Sequence, residues 1–388
     1  MIIRIFDAII ILMDNKNNVR RLVIRYTVYT TIVLGLTFLA FYLSIGKNAH
    51  EVFEVIKSAN LWYIAIIFAL LILCILFRSI AIYALAKNHV DHYSFHRALA
   101  IDQIGVLYRM VTPAGLGGNI MQTQTYRRQG MHFATALSLI AMYSIIYQIV
   151  LIIYNFITII VKHDLITQIG HISISFIDQN SYNVSLWLLV AIGFGINVLV
   201  IFFIFGISYW NGIVKFLDGP IRKLLIKMHV LKTEEKEERY REKLISIRDH
   251  YRASLGDIFA HTKTFIICFI MFFGYITLSY SIPYFVGKSL GNTSAYANFW
   301  DSVLLSNFHQ MITSIVPTPG NTLFSELFFL RLFYPNNGPT FYINEEVARA
   351  SLLLWRSLAF IIPLAIACIW TVVYSPRRKK KYADYPQY

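Results

Sequence analysis

The 388-residue chain predicts an all-α, polytopic membrane fold, on three observations. Hydrophobic residues make up 57% of it and charged residues only 14%. Apolar runs exceed the length of about 18 residues that marks a transmembrane helix. Two prolyl-glycyl breaks, TPAGLGGN (Thr112 to Asn119) and PTPGN (Pro317 to Asn321), interrupt short hydrophobic stretches in matching positions. Paired interruptions of this kind point to a midplane site in a transporter built from inverted halves. Period-two alternation does not recur, which argues against membrane strands.

Taken in order, residues 1–25 read as a cytoplasmic or interfacial segment. Asp7 interrupts the leading apolar stretch and no small-residue cleavage site follows, so no cleavable signal is expected. The first twelve residues read as an interfacial stretch or a misassigned start, since DNKNNVRRLVIR after Met13 is the more natural basic lead-in to a span. Six runs are long enough to cross about 30 Å of hydrocarbon at about 1.5 Å per residue: 26–45, 61–86, 132–161, 184–208, 264–286 and 347–373. They define one transmembrane domain over 26–375, with a charged loop at 209–263 and a polybasic tail at 376–388. Within that loop, Glu and Lys or Arg recur at three- and four-residue spacing from Leu231 to about residue 255. The pattern marks a solvated helix, or a docking element for a cytoplasmic protein.

Lys16, Arg20, Arg21 and Arg25, then Lys87, Arg97, Arg127 and Arg128, and the run from Arg377 all fall on one side of a six-span topology. The opposite loops carry only Lys47, Lys57, Lys162 and Lys288. The bias places both termini in the cytoplasm of a cell-membrane protein. The net charge of +14 is mostly this asymmetry, which favours anionic lipid headgroups and not nucleic acid.

Ala98 to Arg128 begins and ends among bases, yet its apolar arm is too short to cross. Pro113 lacks a donor and Gly115, Gly117 and Gly118 loosen the chain, so a helix should enter from the cytoplasm, break and return. Phe299 to Phe333 repeats this from the other face, broken at Pro317, Pro319 and Gly320. Spans 61–86 and 132–161 then correspond to 264–286 and 347–373. Irregular backbone at this depth is tolerated only when buried in protein or lining a wet cavity, so a polar chamber between the breaks is expected. Asn119 and Asn321 are expected to cap the returning half-helices, whose free donors suit a phosphate.

Ionisable residues inside apolar segments are functional candidates. Arg78 and Arg349 read as snorkelling to an interface, Asp102 and Asp301 as compensating helix dipoles or as secondary substrate-site residues, and Glu326 and Arg356 as ion-pair partners or headgroup ligands. Arg109, His309 and Arg331 complete the set. Cys74, Cys268 and Cys368 read as unpaired apolar residues. No catalytic constellation, metal-ligand cluster or cofactor motif stands out.

TPAGLGGNIMQTQTYRRQG (Thr112 to Gly130), PTPGNTLFSELFFLRLF (Pro317 to Phe333) and LLWRSLAFIIPLAI (Leu353 to Ile366) resemble the transmembrane, flippase-like domain of the lysylphosphatidylglycerol synthase family. The resemblance covers roughly residues 60–375. In its terms Pro113, Gly117, Gly118, Asn119 and Gln122 occupy the first motif, where many relatives carry an acid and an arginine at the last two places. Glu326 and Arg356 match the second motif's glutamate and the arginine of the last span, and Asn321 replaces a glycine. The implied function is a lipid flippase for a phospholipid of the phosphatidylglycerol or lysyl-phosphatidylglycerol class, or for a polyprenyl-linked lipid. A lipid-modifying transferase half and a scaffold for a cytoplasmic partner are the alternatives. A sequence ending at Tyr388 is expected to lack the soluble aminoacyl-transferase domain of full synthases.

Overall fold

A computed structural model describes residues 49–374 except 91, 113–114, 176–180, 228–236, scattered positions between 239 and 259, 317 and 336–337, together with residues 31, 35, 38, 39 and 42. The expected span at 26–45, the leading segment and the polybasic tail lie largely outside the described residues.

Helix α1 (Ala49–Lys57) precedes α2 (Leu61–Lys87), which starts where the Asn60 side chain accepts from the Trp62 N–H. Helix α2 is hydrophobic around its whole circumference, as expected of a helix between protein and lipid. Helices α3 (Phe95–Val111) and α4 (Leu116–Arg128) form the first hairpin, and α5 (Phe133–Val161) runs back across. A short α6 (His163–Ile169) leads into β1 (His171–Ser175) and β2 (Ser181–Ser185), an antiparallel pair with His171 opposite Ser185. This two-stranded ribbon was not expected. The alternation His-Ile-Ser-Ile-Ser at 171–175 is its local signal, too short to register beside the long apolar runs.

Helix α7 (Leu186–Tyr209) crosses next, followed by α8 (Asn211–Phe216), a widened π-helical turn at Leu217–Ile221 holding Pro220, and α9 (Arg222–Lys227). The charged 231–255 helix lies largely outside the described residues. Of those described there, Glu237 pairs with Arg222 at 2.7 Å and Arg241 with Asp218 at 2.9 Å.

The second half repeats the first with inverted direction. Helices α10 (Thr262–Tyr280) and α11 (Ile282–Ser289) form one crossing unit, and α12 (Phe299–Thr313) enters from the face where α11 ends. A 3-10 turn at Pro319–Asn321 reverses the chain into α13 (Phe324–Phe333). The last crossing is α14 (Glu345–Arg356), a π-helical turn at Ser357–Ile361 and α15 (Ile362–Val373). Pro363 has no N–H to give the preceding turn, which accounts for the widening directly after Arg356. Among the described residues five apolar helical units are long enough to span a membrane.

Hydrogen bonds between the halves fix the two faces. At the Leu61 face the Asn60 N–H donates to the Ser289 carbonyl at 2.8 Å. At the Lys87 face Asn88 Nδ2 donates to Thr264 Oγ1 at 2.6 Å, and Gln129 Nε2 to Tyr374 Oη at 3.0 Å. The first hairpin therefore enters from the Lys87 face and the second from the Leu61 face.

Each hairpin is wrapped in its own core. Phe308, Phe329, Phe333, Tyr342 and Leu352 pack toward the Leu61 face, while Ile101, Tyr126, Leu139, Ile146 and Phe272 pack toward the Lys87 face. A small cluster of Val111, Phe360 and Leu364 joins them at the level of the breaks. The outward surface of the bundle is also apolar, with Ile72, Phe156, Phe202, Ile270 and Ile369 exposed, a surface that lipid and not water would wet.

Candidate functional site

The first break is organised by Thr112. Its Oγ1 donates to the Tyr108 carbonyl at 2.6 Å and accepts from the Gly117 N–H at 2.9 Å, so a threonine hydroxyl satisfies one orphan donor of α4. Gly115 turns the chain with φ of 66°. Gly117 and Gly118 serve close approach more than flexibility: a Cβ on Gly117 would meet Thr112 at 2.6 Å, and one on Gly118 would meet the stem of Arg109 at 3.0 Å.

Asn119 is not the expected cap. Helix α4 starts three residues earlier, at Leu116, behind a left-handed Gly115. Exposed Asn119 instead donates from Nδ2 to Ser144 Oγ on α5 at 3.3 Å. Gln122 is buried against Gly105 within the hairpin, with both amide atoms unpartnered. Pro113 and Pro317 lie outside the described residues.

In the second break Gly320, Asn321 and Leu323 all have positive φ, at 61°, 52° and 77°. Asn321 is likewise no cap, because the left-handed residues push the start of α13 on to Phe324, with Leu323 in the cap position. Pro319 opens this turn. The chamber expected between the breaks is replaced at Gly320 by contact: a Cβ there would lie 2.6 Å from the Phe360 ring and 3.1 Å from the Met110 carbonyl.

Around this junction the structure brings Glu326 and Arg356 together, 1% and 4% exposed. Arg356 Nε lies 2.7 Å from Glu326 Oε1, yet neither this nitrogen nor either carboxylate oxygen makes a hydrogen bond. At this separation the two opposite charges attract through a buried, low-dielectric medium. The Arg356 terminal nitrogen donates to the Gly320 carbonyl at 2.8 Å, and its guanidinium carbon sits 4.0 Å from the Phe360 ring centroid. Arg356 thus ties the last crossing to the second break. His309 Nε2 contacts the Ser325 carbonyl at 2.8 Å, holding the two arms of that hairpin together.

Two sequence expectations fail at a second ion pair. Arg78 does not snorkel and Asp102 does not merely compensate a dipole. They form a buried bidentate pair, Nε to Oδ1 at 2.9 Å and the terminal nitrogen to Oδ2 at 3.0 Å, with Gln103 Nε2 donating to Oδ2 at 3.0 Å. Arg78 lies nine residues from the end of α2, about 13 Å, too deep for its side chain to reach an interface. Asp301 pairs with Lys162 at the end of α5 and accepts from Asn298. Both residues line a small cleft of about 40 Å³ with Leu165, Tyr296, Leu305 and Phe341. Arg349 makes an exposed pair with Glu345, as a residue near a span end should. Arg331 lies half-buried in the last turn of α13.

Arg109 differs from all of these. It lies fourteen residues into α3, about 21 Å along the axis from Phe95. Half-buried at the first break, it stands within electrostatic reach of Tyr143 and Tyr147 on α5. Its guanidinium has no hydrogen-bond or ion-pair partner among the described residues. Also among the described residues, no three His, Cys, Asp or Glu side chains gather in a metal-holding group, and the three cysteines are unpaired.

Residues 27–367 match the model of a family described as the lysylphosphatidylglycerol synthase TM region. No curated protein matches the chain.

Proposed function

We propose, from the premise that this chain belongs to the lysylphosphatidylglycerol synthase transmembrane-region family, that it translocates a lipid with an anionic headgroup between leaflets. Arg109 carries this reading. A guanidinium left without a counter-charge some two-thirds of the way across a bilayer is expensive, and such residues mark substrate pathways. Its planar fork suits a phosphodiester, which both phospholipids and polyprenyl-linked lipids possess.

Asn119 stands beside it on the returning arm as a neutral donor. Glu326 and Arg356, closed on each other, hold the second break in place and are the pair a headgroup's own charges would compete with. The contact at Gly320 makes this a conformation closed between the breaks, so passage needs one inverted half to rock against the other. The lysine and arginine bias supports the Lys87 face as the cytoplasmic one in a cell membrane.

The test is transbilayer movement of fluorescent phosphatidylglycerol and lysyl-phosphatidylglycerol in proteoliposomes. Intact protein should raise the rate above that of protein-free liposomes, and Arg109→Gln should return it to that baseline. Equal rates with and without protein, across both lipids and a polyprenyl phosphate, would remove the proposal.

A further inference from the structure

Helix α5 carries a polar stripe that the motifs above do not include. Ser144, Gln148, Asn155, Thr158 and Lys162 recur at spacings of four, seven, three and four residues. At about 100° per residue they fall within about 40° of a single line, and at about 1.5 Å per residue they extend about 27 Å, nearly the hydrocarbon thickness. Leu151 is the single apolar side chain on that line. The remainder of the helix from Ile145 to Val161 is aliphatic or aromatic, apart from Thr158 and its neighbours on the stripe.

The ends of the stripe meet the two features already described. Ser144 accepts from Asn119 at the first break, close to Arg109, and Lys162 pairs with Asp301 at the cleft on the Leu61 face. Between them Gln148 donates to the carbonyl and side-chain oxygens of Asn197 on α7 at 3.0 and 3.1 Å, and Thr158 accepts from Asn307 of α12 at 2.9 Å. Polar groups between membrane helices commonly act as glue, and these pairings fit that role.

Asn155 does not. It is fully buried, and neither its amide nitrogen nor its amide oxygen has a partner; Asn307 Oδ1 is also unpartnered. An apolar residue of the same size would serve packing better, because a buried amide without hydrogen bonds is a net cost. The unfilled valences lie about midway between Gln148 and Lys162, with one donor group and two acceptor oxygens.

We propose that the α5 stripe is the track along which the lipid's phosphate-bearing headgroup passes between the Arg109 region and the Lys162–Asp301 cleft, with Asn155 and Asn307 as its intermediate station. This rests on the translocation reading and specifies its route. Helices α7 and α12 cover the stripe in this conformation, and displacement of α12, which carries both Asp301 and Asn307, uncovers it.

The experiment compares intact protein, Arg109→Gln and Asn155→Leu in the phosphatidylglycerol proteoliposome assay, with thermal stability measured on each. Asn155→Leu should melt at or above the temperature of intact protein, since it removes an unsatisfied amide, while translocation slows about tenfold, the factor for one charge-assisted hydrogen bond lost from the barrier. A second measurement uses an active variant with the three cysteines replaced by alanine and single cysteines introduced on α5. The water-soluble sulfonatoethyl methanethiosulfonate should modify positions 148, 151 and 155 in the presence of translocated lipid and spare 149, 153 and 156. Full activity of Asn155→Leu in a preparation where intact protein moves lipid and Arg109→Gln does not, or labelling indifferent to the stripe, would overturn the track and leave the translocation reading standing. Inactive intact protein would fall on the translocation reading instead.

Discussion

The Glu326–Arg356 pair is the interaction whose removal the structure prices most clearly. Both side chains are at least 95% buried, and their opposed atoms are 2.7 Å apart without a hydrogen bond between them. With charge centres about 4 Å apart and an effective dielectric of about 20, their attraction is about 4 kcal/mol. Glu326→Gln keeps the shape and deletes the charge, leaving Arg356 with the Gly320 carbonyl and the Phe360 ring. Stranding a buried charge in this way costs about 3–5 kcal/mol. Glu326→Gln combined with Arg356→Met strands nothing and should recover most of the loss. Reversible unfolding in mixed micelles titrated with sodium dodecyl sulfate yields all four corners of the cycle, with an expected coupling of about 2–4 kcal/mol. A coupling below about 0.5 kcal/mol would refute the Coulombic account of this pair. A double variant that is stable yet unable to move lipid would assign the charges to function and not to folding.

Arg78→Lys keeps the charge but loses the two-pronged match to Asp102, and should cost about 2 kcal/mol in the same titration, with Asp102→Asn costing more because it strands Arg78. Gly320→Ala combines a left-handed φ, worth about 1–2 kcal/mol, with a methyl group driven at Phe360; Phe360→Leu in the same chain should restore the steric part only. Of the three thiols, half-buried Cys368 should be alkylated by N-ethylmaleimide in the folded protein well before the buried Cys74 and Cys268, as mass spectrometry of timed samples would record.

The architecture was legible because its signals are local. Pro113 and Pro317 with their glycines mark both reversals, and apolar runs mark the crossings to within a few residues. The pairing of Glu326 with Arg356 was legible as one of two readings, since both lay inside apolar segments of the second half. The Arg78–Asp102 pair was not, because each member has a common local explanation of its own; only the depth of Arg78 within α2 argued otherwise. Asn119 and Asn321 were misread for a related reason. Asparagine after a glycine-rich break is a good cap by propensity, but left-handed Gly115 and Leu323 set the helix starts elsewhere. Asn155 carried no motif, and its interest arises from neighbours that do not reach it.

The distribution of charge pairs bears on which parts move together. Arg78–Asp102 joins two elements of the first inverted half, and Glu326–Arg356 joins two of the second. Between the halves the contacts are neutral hydrogen bonds, the Arg78 guanidinium over the Tyr275 ring at 4.8 Å, and apolar packing at Val111, Phe360 and Leu364. Separating apolar helix surfaces in a bilayer is inexpensive because lipid chains replace the lost neighbours, whereas opening a buried ion pair is not. The exception is Lys162–Asp301, which bridges the halves at the Leu61 face and, with side chains 21% and 16% exposed, is less deeply buried than the other two. A rocking motion that keeps each half rigid therefore breaks the Lys162–Asp301 pair and spares the two more deeply buried pairs, Arg78–Asp102 and Glu326–Arg356.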